Sequence, residues 1–577
     1  MELQAKLRAL ALVALTASLL AAAGALPPPA PAAEPELRQP ARSDRAPEGF
    51  RLTALQAIAI AERVEKVRGE RLRRPALEPT AYTKGAGRWQ VSYFEGKEER
   101  AQVQVDDTDG RVLEAWTGPQ VAWHMARGYD GAFGRGVTSP WVWLPLCALF
   151  LAPFVDPRRP FRLLHLDLLM LLAFGVSHVF FNRGEISASV PLAYPVLAYL
   201  LVRMLVLGLR PGSRPQRLLP IVPAAWLALA IVGLMGFRVA LNVVDSNVID
   251  VGYAGVIGAD RIADGKPLYE GGFPSDNRFG DTYGPVNYLA YVPFEQALPW
   301  SGRWDDLPAA HAAALAFDGA TLAGLILLGR RLRRGAAGRE LGLALGFAWV
   351  AYPYALYALS SNANDALVAM LLVYALLLGS SPWARGALLG FAGAAKFAPL
   401  ALVPLLARDP DGGGRRAPHV LAFAAALAAV TIASALPFVP DGGPTELYER
   451  TLGRQLVRES PFSLWGQYPA LRWTQRAVAA GAVALGLVVA FVPRRLSRPR
   501  VAALGAAVLI ALQLSTTHWF YLYIVWFAPF AFVALFAAHG TGPAEASARR
   551  HEQLLDRARA PVARSVDHDG VQPRVDV

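Results

Sequence analysis

The sequence predicts an all-α polytopic membrane protein, with about 11–13 transmembrane segments, carrying a small N-terminal extracytoplasmic α+β domain. Three observations lead there. Of the 577 residues 54% are hydrophobic and only 18% charged, whereas soluble domains are about a quarter charged. Apolar stretches able to cross a bilayer follow one another from Trp141 onward. Between 50 and 120 the chain is instead polar and alternates helix-like and strand-like patterns. The net charge of +12 does not point to nucleic acid, because the arginines cluster in short loops between apolar stretches, as topology requires. A single cysteine, Cys147, lies inside an apolar run; it excludes an intrachain disulfide and a cysteine metal cluster.

Residues 1–26 carry Lys6 and Arg8, then the apolar run Ala9–Ala23, and read as a signal peptide or a retained signal anchor. A Pro-rich linker follows over 27–49. In the 50–120 domain, TALQAIAIAERVEKV has helical spacing with Thr53 as N-cap. RWQVSYF, RAQVQVD and RVLEAW alternate as strands, with DDTDG as a turn.

Eleven candidate spans come next: 141–155, 163–181, 190–209, 218–241, 309–329, 340–359, 364–379, 418–438, 475–492, 500–516 and 519–538. The first three, 141–209, form an accessory group ahead of a core over 218–538. DPRRPFR, RPGSRPQR, RRLRRGAAGR and PRRLSRPR belong in the cytoplasm by their arginines. Alternation then puts 242–308 outside, with 440–474 and 516–519. The charge rule holds throughout only if 384–407 dips in and returns, for which Gly390, Gly393 and Pro399 supply breaks. The Arg-rich tail, 539–577, reads as disordered and cytoplasmic.

The loop after Leu241 carries Asp245, Asp250, Asp260 and Asp264. Carboxylates so close to a span are costly and tend to be functional. Asp245 and Asp250 fall four and nine residues past Leu241, within about two to three helical turns of the boundary. A carboxylate there suits a general base acting on an acceptor hydroxyl, with cations to steady a departing lipid phosphate. Asp250 is the first choice, Asp245 the fallback, although Asp250 also suits a helix cap. Asp260 and Asp264 suit a solvated face better than a metal site. Lys396, the last lysine of the chain, lies in an apolar run; a buried ammonium needs either a lipid phosphate or a structural ion pair. Arg454 and Arg458, four apart, could clamp phosphate from one helical face. His518 beside Trp519 is an interface pair that either anchors or binds. Asn362, Asn364 and Asp365 read as caps of the next span.

Asp250, Tyr253, Gly265 and Tyr269 are spaced D-x2-Y-x11-G-x3-Y. This pattern resembles the first external loop of the GT-C superfamily of membrane glycosyltransferases, and of family 87 in particular. DTYGPVNYLAYVPF, with Tyr283, resembles that family's Tyr-x-Pro segment; SNANDALVAMLLV, LLGFAGAAKFAPLALVPLL, ESPFSLWG and THWFYLYIVWFAPF recur at family-like positions. The resemblance implies inverting transfer of a mannose-like or other sugar from a polyprenyl-phosphate donor to a lipid or glycan acceptor, with Asp250 as base. For such a donor, Lys396, Arg454 and Arg458 are the residues expected to hold the phosphate, and Tyr253, Tyr269, Tyr283 and His518 those expected to contact substrate. The 50–120 stretch resembles a PepSY domain, which implies a binding or regulatory role.

A transporter, or a sensor or scaffold linked to the N-terminal domain, is the rival reading. No matched halves with paired broken helices support the transporter. No Gly-rich phosphate loop, H-E-x-x-H or G-x-S-x-G is present. The expectation is therefore an integral plasma-membrane enzyme that requires no cofactor; aspartates abound, but no spacing demands a divalent metal.

Overall fold

The computed structural model describes residues 37–540 except 129–134, 211–213, 275, 276, 278, 304, 305, 411–416 and 459. The segment 1–26 and the tail from 541 lie outside the described residues.

The N-terminal unit packs two helices, α1 (Ala54–Glu62) and α2 (Glu65–Arg73), on an antiparallel five-stranded sheet ordered β1 to β5. Its strands are β1 (Leu37–Arg38), β2 (Glu78–Lys84), β3 (Arg88–Glu95), β4 (Glu98–Asp106) and β5 (Val112–Thr117). Thr53 caps α1 in a box with Gln56. Sequence spacing predicts one helix here; Val64, in extended conformation, breaks it in two. β1 and β2 add to the three expected strands, and β1 falls inside the expected linker. Alternate residues of the sheet (Trp89, Val91, Tyr93, Val103, Val105) meet Ala57, Ala61 and Val67 in a buried core.

Among the remaining helices of the described residues, six are long and apolar enough to cross a membrane: α3 (Leu163–Asn182), α4 (Ile186–Leu209), α5 (Ala224–Val244), α6 (Pro308–Leu332), α7 (Ala417–Phe438) and α8 (Arg498–Ser515). Gly335–Ala351 with Pro353–Ser360 makes a seventh, bent by 55°. Pro140–Leu151, Asp365–Leu377 and Tyr521–Ala537 are apolar but shorter. The eleven spans expected from hydropathy are thus six or seven by length. Hydropathy windows count residues across helix breaks, and 13 helical residues reach only about 20 Å, short of the roughly 30 Å hydrocarbon core.

Arginines gather at one end of this bundle and cap carbonyls left open where helices stop. Arg331 and Arg498 each donate to Leu377 O at 3.2 Å, Arg408 to Val489 O at 2.9 Å, and Arg500 to Gly208 O at 2.9 Å. Arg162 donates to Arg217 O at 2.8 Å. The chain between 382 and 406 turns back on itself. Helix Pro382–Ala395 stops at Lys396, a 3-10 turn and a short helix follow, and Arg385 near the start donates to Leu406 O near the end at 2.9 Å. Both ends of the hairpin therefore lie at the arginine-rich end. Within the bundle, Arg238 of α5 donates to Asp318 Oδ2 of α6 at 3.2 Å, and Trp349 Nε1 donates to Asp318 Oδ1 at 2.9 Å. These three helices are locked by a buried, fully hydrogen-bonded ion pair.

Candidate functional site

At the end opposite the arginines, α5 gives way to a loop and then to the helix Asp250–Ala263. The loop is held from below by the turn 360–364. Asn247 N donates to Ser360 O at 3.2 Å and Ile249 N to Ser361 O at 3.1 Å. Asn362, in left-handed conformation (φ 51°), donates its amide to Ser246 Oγ at 2.9 Å and Asn247 O at 3.0 Å. Asn242 in turn donates to Asn362 Oδ1 at 2.8 Å. Gly252 lets the helix seat directly on this turn; a Cβ there would stand 2.2 Å from Asn362 O.

Asp250 opens that helix, its Oδ1 accepting from Val251 N at 2.9 Å and its carbonyl accepting from Asn277 Nδ2 at 3.0 Å. The residue is exposed to solvent, although protein atoms stand close around its carboxyl. Burial pushes its carboxyl above the ordinary range; Arg458, Val251 N–H and Lys396 pull it back, and Asp365 pushes it up again. Arg458, Lys396 and Asp365 therefore surround Asp250 closely enough for their charges to act on it.

Each comes from a separate helix end. Asp365 begins the helix Asp365–Leu377 and is fully buried. It accepts from Lys396 Nζ at 2.7 Å and from Trp526 Nε1 at 2.9 Å. Lys396 sits where Pro382–Ala395 stops, its ammonium 5.2 Å from the Trp526 ring centroid. Of the two partners the sequence left open for it, the structure shows the ion pair. Tyr283 is brought in by Gly284, which packs so tightly on Ala394 that a Cβ would stand 2.1 Å from its carbonyl oxygen. Arg458 follows the short helix Arg454–Val457, its guanidinium 5.2 Å from the Trp123 ring centroid. His518 faces them from the loop after α8, its Nδ1 2.8 Å from Ser460 Oγ. Burial first, then Arg458 and Lys396, hold His518 well below the usual histidine range, so its imidazole is neutral at physiological pH.

The other expected residues lie further off. Asp245 caps α5 and accepts from Gly136 N–H. Tyr253 is buried edge-on against Trp300, 5.8 Å between centroids. Tyr269 donates to Tyr283 O at 2.8 Å, so it positions Tyr283. The helix carrying Arg454 ends at Val457, so Arg454 and Arg458 do not share a helical face; Arg454 stacks on Phe279 at 3.6 Å. Asp260 is raised by burial and by Asp264, and Asp264 pairs with Lys266 at 2.6 Å on an exposed face. Among the described residues no group of three or more His, Cys, Asp or Glu is arranged to hold a metal ion.

Sequence reasoning treated Asp365 as a cap and did not single out Trp123. For Asp365 a signal existed: it and Lys396 are lone opposite charges flanking apolar runs, and such charges seek each other. For Trp123 none did, because its neighbours lie more than 300 residues away in sequence.

Residues 282–517 match the model of glycosyltransferase family 87. This region is that of a family 87 glycosyltransferase. The chain is an integral membrane glycosyltransferase, mostly helical, with Tyr283, Asp365, Lys396 and Arg458 inside the matched region and Asp250 and His518 outside it. No curated protein matches the chain, and no solved structure does.

Proposed function

We propose that this glycosyltransferase moves a sugar from a polyprenyl-phosphate carrier to an acceptor hydroxyl, with Asp250 as general base and inversion at the anomeric carbon. The observation that carries the reading is the gathering around one carboxylate of Arg458 and the Lys396–Asp365 pair, with His518 beside the same two cations. Asp250 takes the proton of the incoming hydroxyl as its oxygen bonds the anomeric carbon. The bond from that carbon to the carrier's phosphate oxygen breaks, and the departing phosphate keeps the electron pair. Arg458 is the cation best suited to receive that charge, since Lys396 is already neutralised by Asp365. Tyr283, held by Tyr269 and by the packing of Gly284, is the residue assigned to contact the sugar. The acceptor is a lipid or a glycan, and no step calls for a metal.

The arginine-capped end is the cytoplasmic one by the positive-inside rule. The site then opens at the extracytoplasmic face of the plasma membrane, where a lipid-linked donor is the available source of activated sugar. Asp250→Asn keeps size and loses the base. Transfer from a radiolabelled polyprenyl-phosphate sugar should fall by about 10²–10⁴, with the protein still folded in detergent. Transfer at the wild-type rate would remove Asp250 from the role.

A further inference from the structure

The N-terminal unit is joined to the site by more than a tether. After β5 the chain forms Pro119–Ala122 and the turn His124–Arg127, and this segment is fixed at both ends. On the sheet side, Arg127 donates to Gln102 Oε1 of β4 at 2.9 Å and to Gln120 O at 2.7 Å, and lies 5.5 Å from the Trp116 ring centroid. On the membrane side, Gln120 donates to Gly184 O at 2.8 Å, and Gly128 packs so closely that a Cβ would stand 2.4 Å from Gly184 N. Between the two anchors Trp123 projects into the site. Its ring lies 5.4 Å from Phe462 and 5.8 Å from His518, and the Arg458 guanidinium lies over it.

An aromatic face is an unusual partner for a cation at a phosphate site, and its physics differs from that of a carboxylate. It holds the guanidinium in place through the ring quadrupole and leaves the net charge and the N–H donors available. Lys396 shows the contrast, since Asp365 fixes it and cancels its charge. Among the described residues no carboxylate forms an ion pair with Arg458, although the Asp250 carboxylate stands near enough for the two charges to interact.

We infer that the segment joining the N-terminal unit to the bundle supplies Trp123 as a positioning residue, which holds Arg458 ready for the carrier's phosphate, so that the small domain, by anchoring this segment, takes part in donor binding. The inference rests on the donor reading above. It assigns a role in the site to a residue that lies outside the family-matched region.

The test uses the full-length protein in lipid nanodiscs with polyprenyl monophosphate as the probe, together with donor KM and kcat. Trp123→Leu keeps bulk and removes the ring face; Trp123→Phe keeps a face. Trp123→Leu should weaken polyprenyl monophosphate binding and raise donor KM roughly fivefold to tenfold, with a smaller change in kcat. Trp123→Phe should restore most of both. Leu and Phe variants that bind the probe equally would overturn the inference, whether both match wild type or both are impaired, because packing alone would then account for the residue. Wild-type protein that binds no polyprenyl monophosphate would instead defeat the donor reading itself.

Discussion

Asp250 lies between opposing influences, and on the proposed mechanism their balance sets when the enzyme works. Enclosure raises its pKa, while Arg458 and Lys396 oppose the rise. A base must be ionised to act, so the acid limb of kcat/KM marks its deprotonation. That limb should lie above the range of an ordinary carboxylate. Arg458 favours the charged form, so Arg458→Gln should move the limb to higher pH as well as raise donor KM. A pH profile of the variant reads this directly; a limb that stays in place would show that another group controls it. His518 adds no limb near neutrality, because it is already unprotonated there. At this scale the sequence was informative about which charges matter and silent about their pairing. Asp250, Lys396 and Arg458 stood out as charges beside apolar runs, and the structure gathers them. Arg454 stood out for the same reason yet stacks on Phe279 instead, because the helix expected to align it with Arg458 stops one residue too soon.

Helix ends, rather than helix faces, build the site. Asp250 and Asp365 begin helices, Lys396 ends one, and Arg458 follows one. Such a site depends on how closely those ends approach, which is where small residues become decisive. Gly252 sits in regular helix, so alanine there meets no backbone strain, but its Cβ would stand 2.2 Å from Asn362 O and 2.8 Å from Val248 Cγ1. Relief requires the start of the helix to move outward, and Asp250 with it. Gly252→Ala should therefore cut kcat by about 10² while the thermal unfolding of the membrane core changes little. Normal kcat in that variant would mean that the 250 helix is not held against the 362 turn. The 384–407 hairpin was legible from charge parity; its break falls at Lys396, ahead of Pro399, whereas Gly390 and Gly393, expected to supply breaks, lie inside the helix Pro382–Ala395. The shortness of Asp365–Leu377 was not, because composition alone does not show where a helix stops. The break at the 360–364 turn is a tertiary event: the carbonyls of Ser360 and Ser361 accept from Asn247 and Ile249, far away in sequence.

Over the whole molecule, the arginines do two jobs with one chemistry. They close carbonyls at Gly208, Leu377, Leu406 and Val489, each facing the negative end of a helix dipole, and in the proposed orientation they mark the end of the bundle that stays with the cytoplasm. The site, the 440–472 loop and the N-terminal unit all lie at the other end, so a single choice of orientation decides the face on which sugar is transferred. Two exposed positions test that choice, in a background where Cys147, the chain's one cysteine, is replaced by serine. Ser301 lies in the site-end loop between Trp300 and α6, and Ala417 begins α7 just after the hairpin. A membrane-impermeant maleimide applied to intact cells should label Ser301→Cys and spare Ala417→Cys until the membrane is permeabilised. The reverse pattern would place Asp250 in the cytosol, where soluble nucleotide sugars are available and the argument for a lipid-linked donor loses its force. Labelling of both positions in intact cells would mean that the 382–406 segment crosses rather than returns. That outcome conflicts with the Arg385–Leu406 contact, so the experiment tests orientation and hairpin independently.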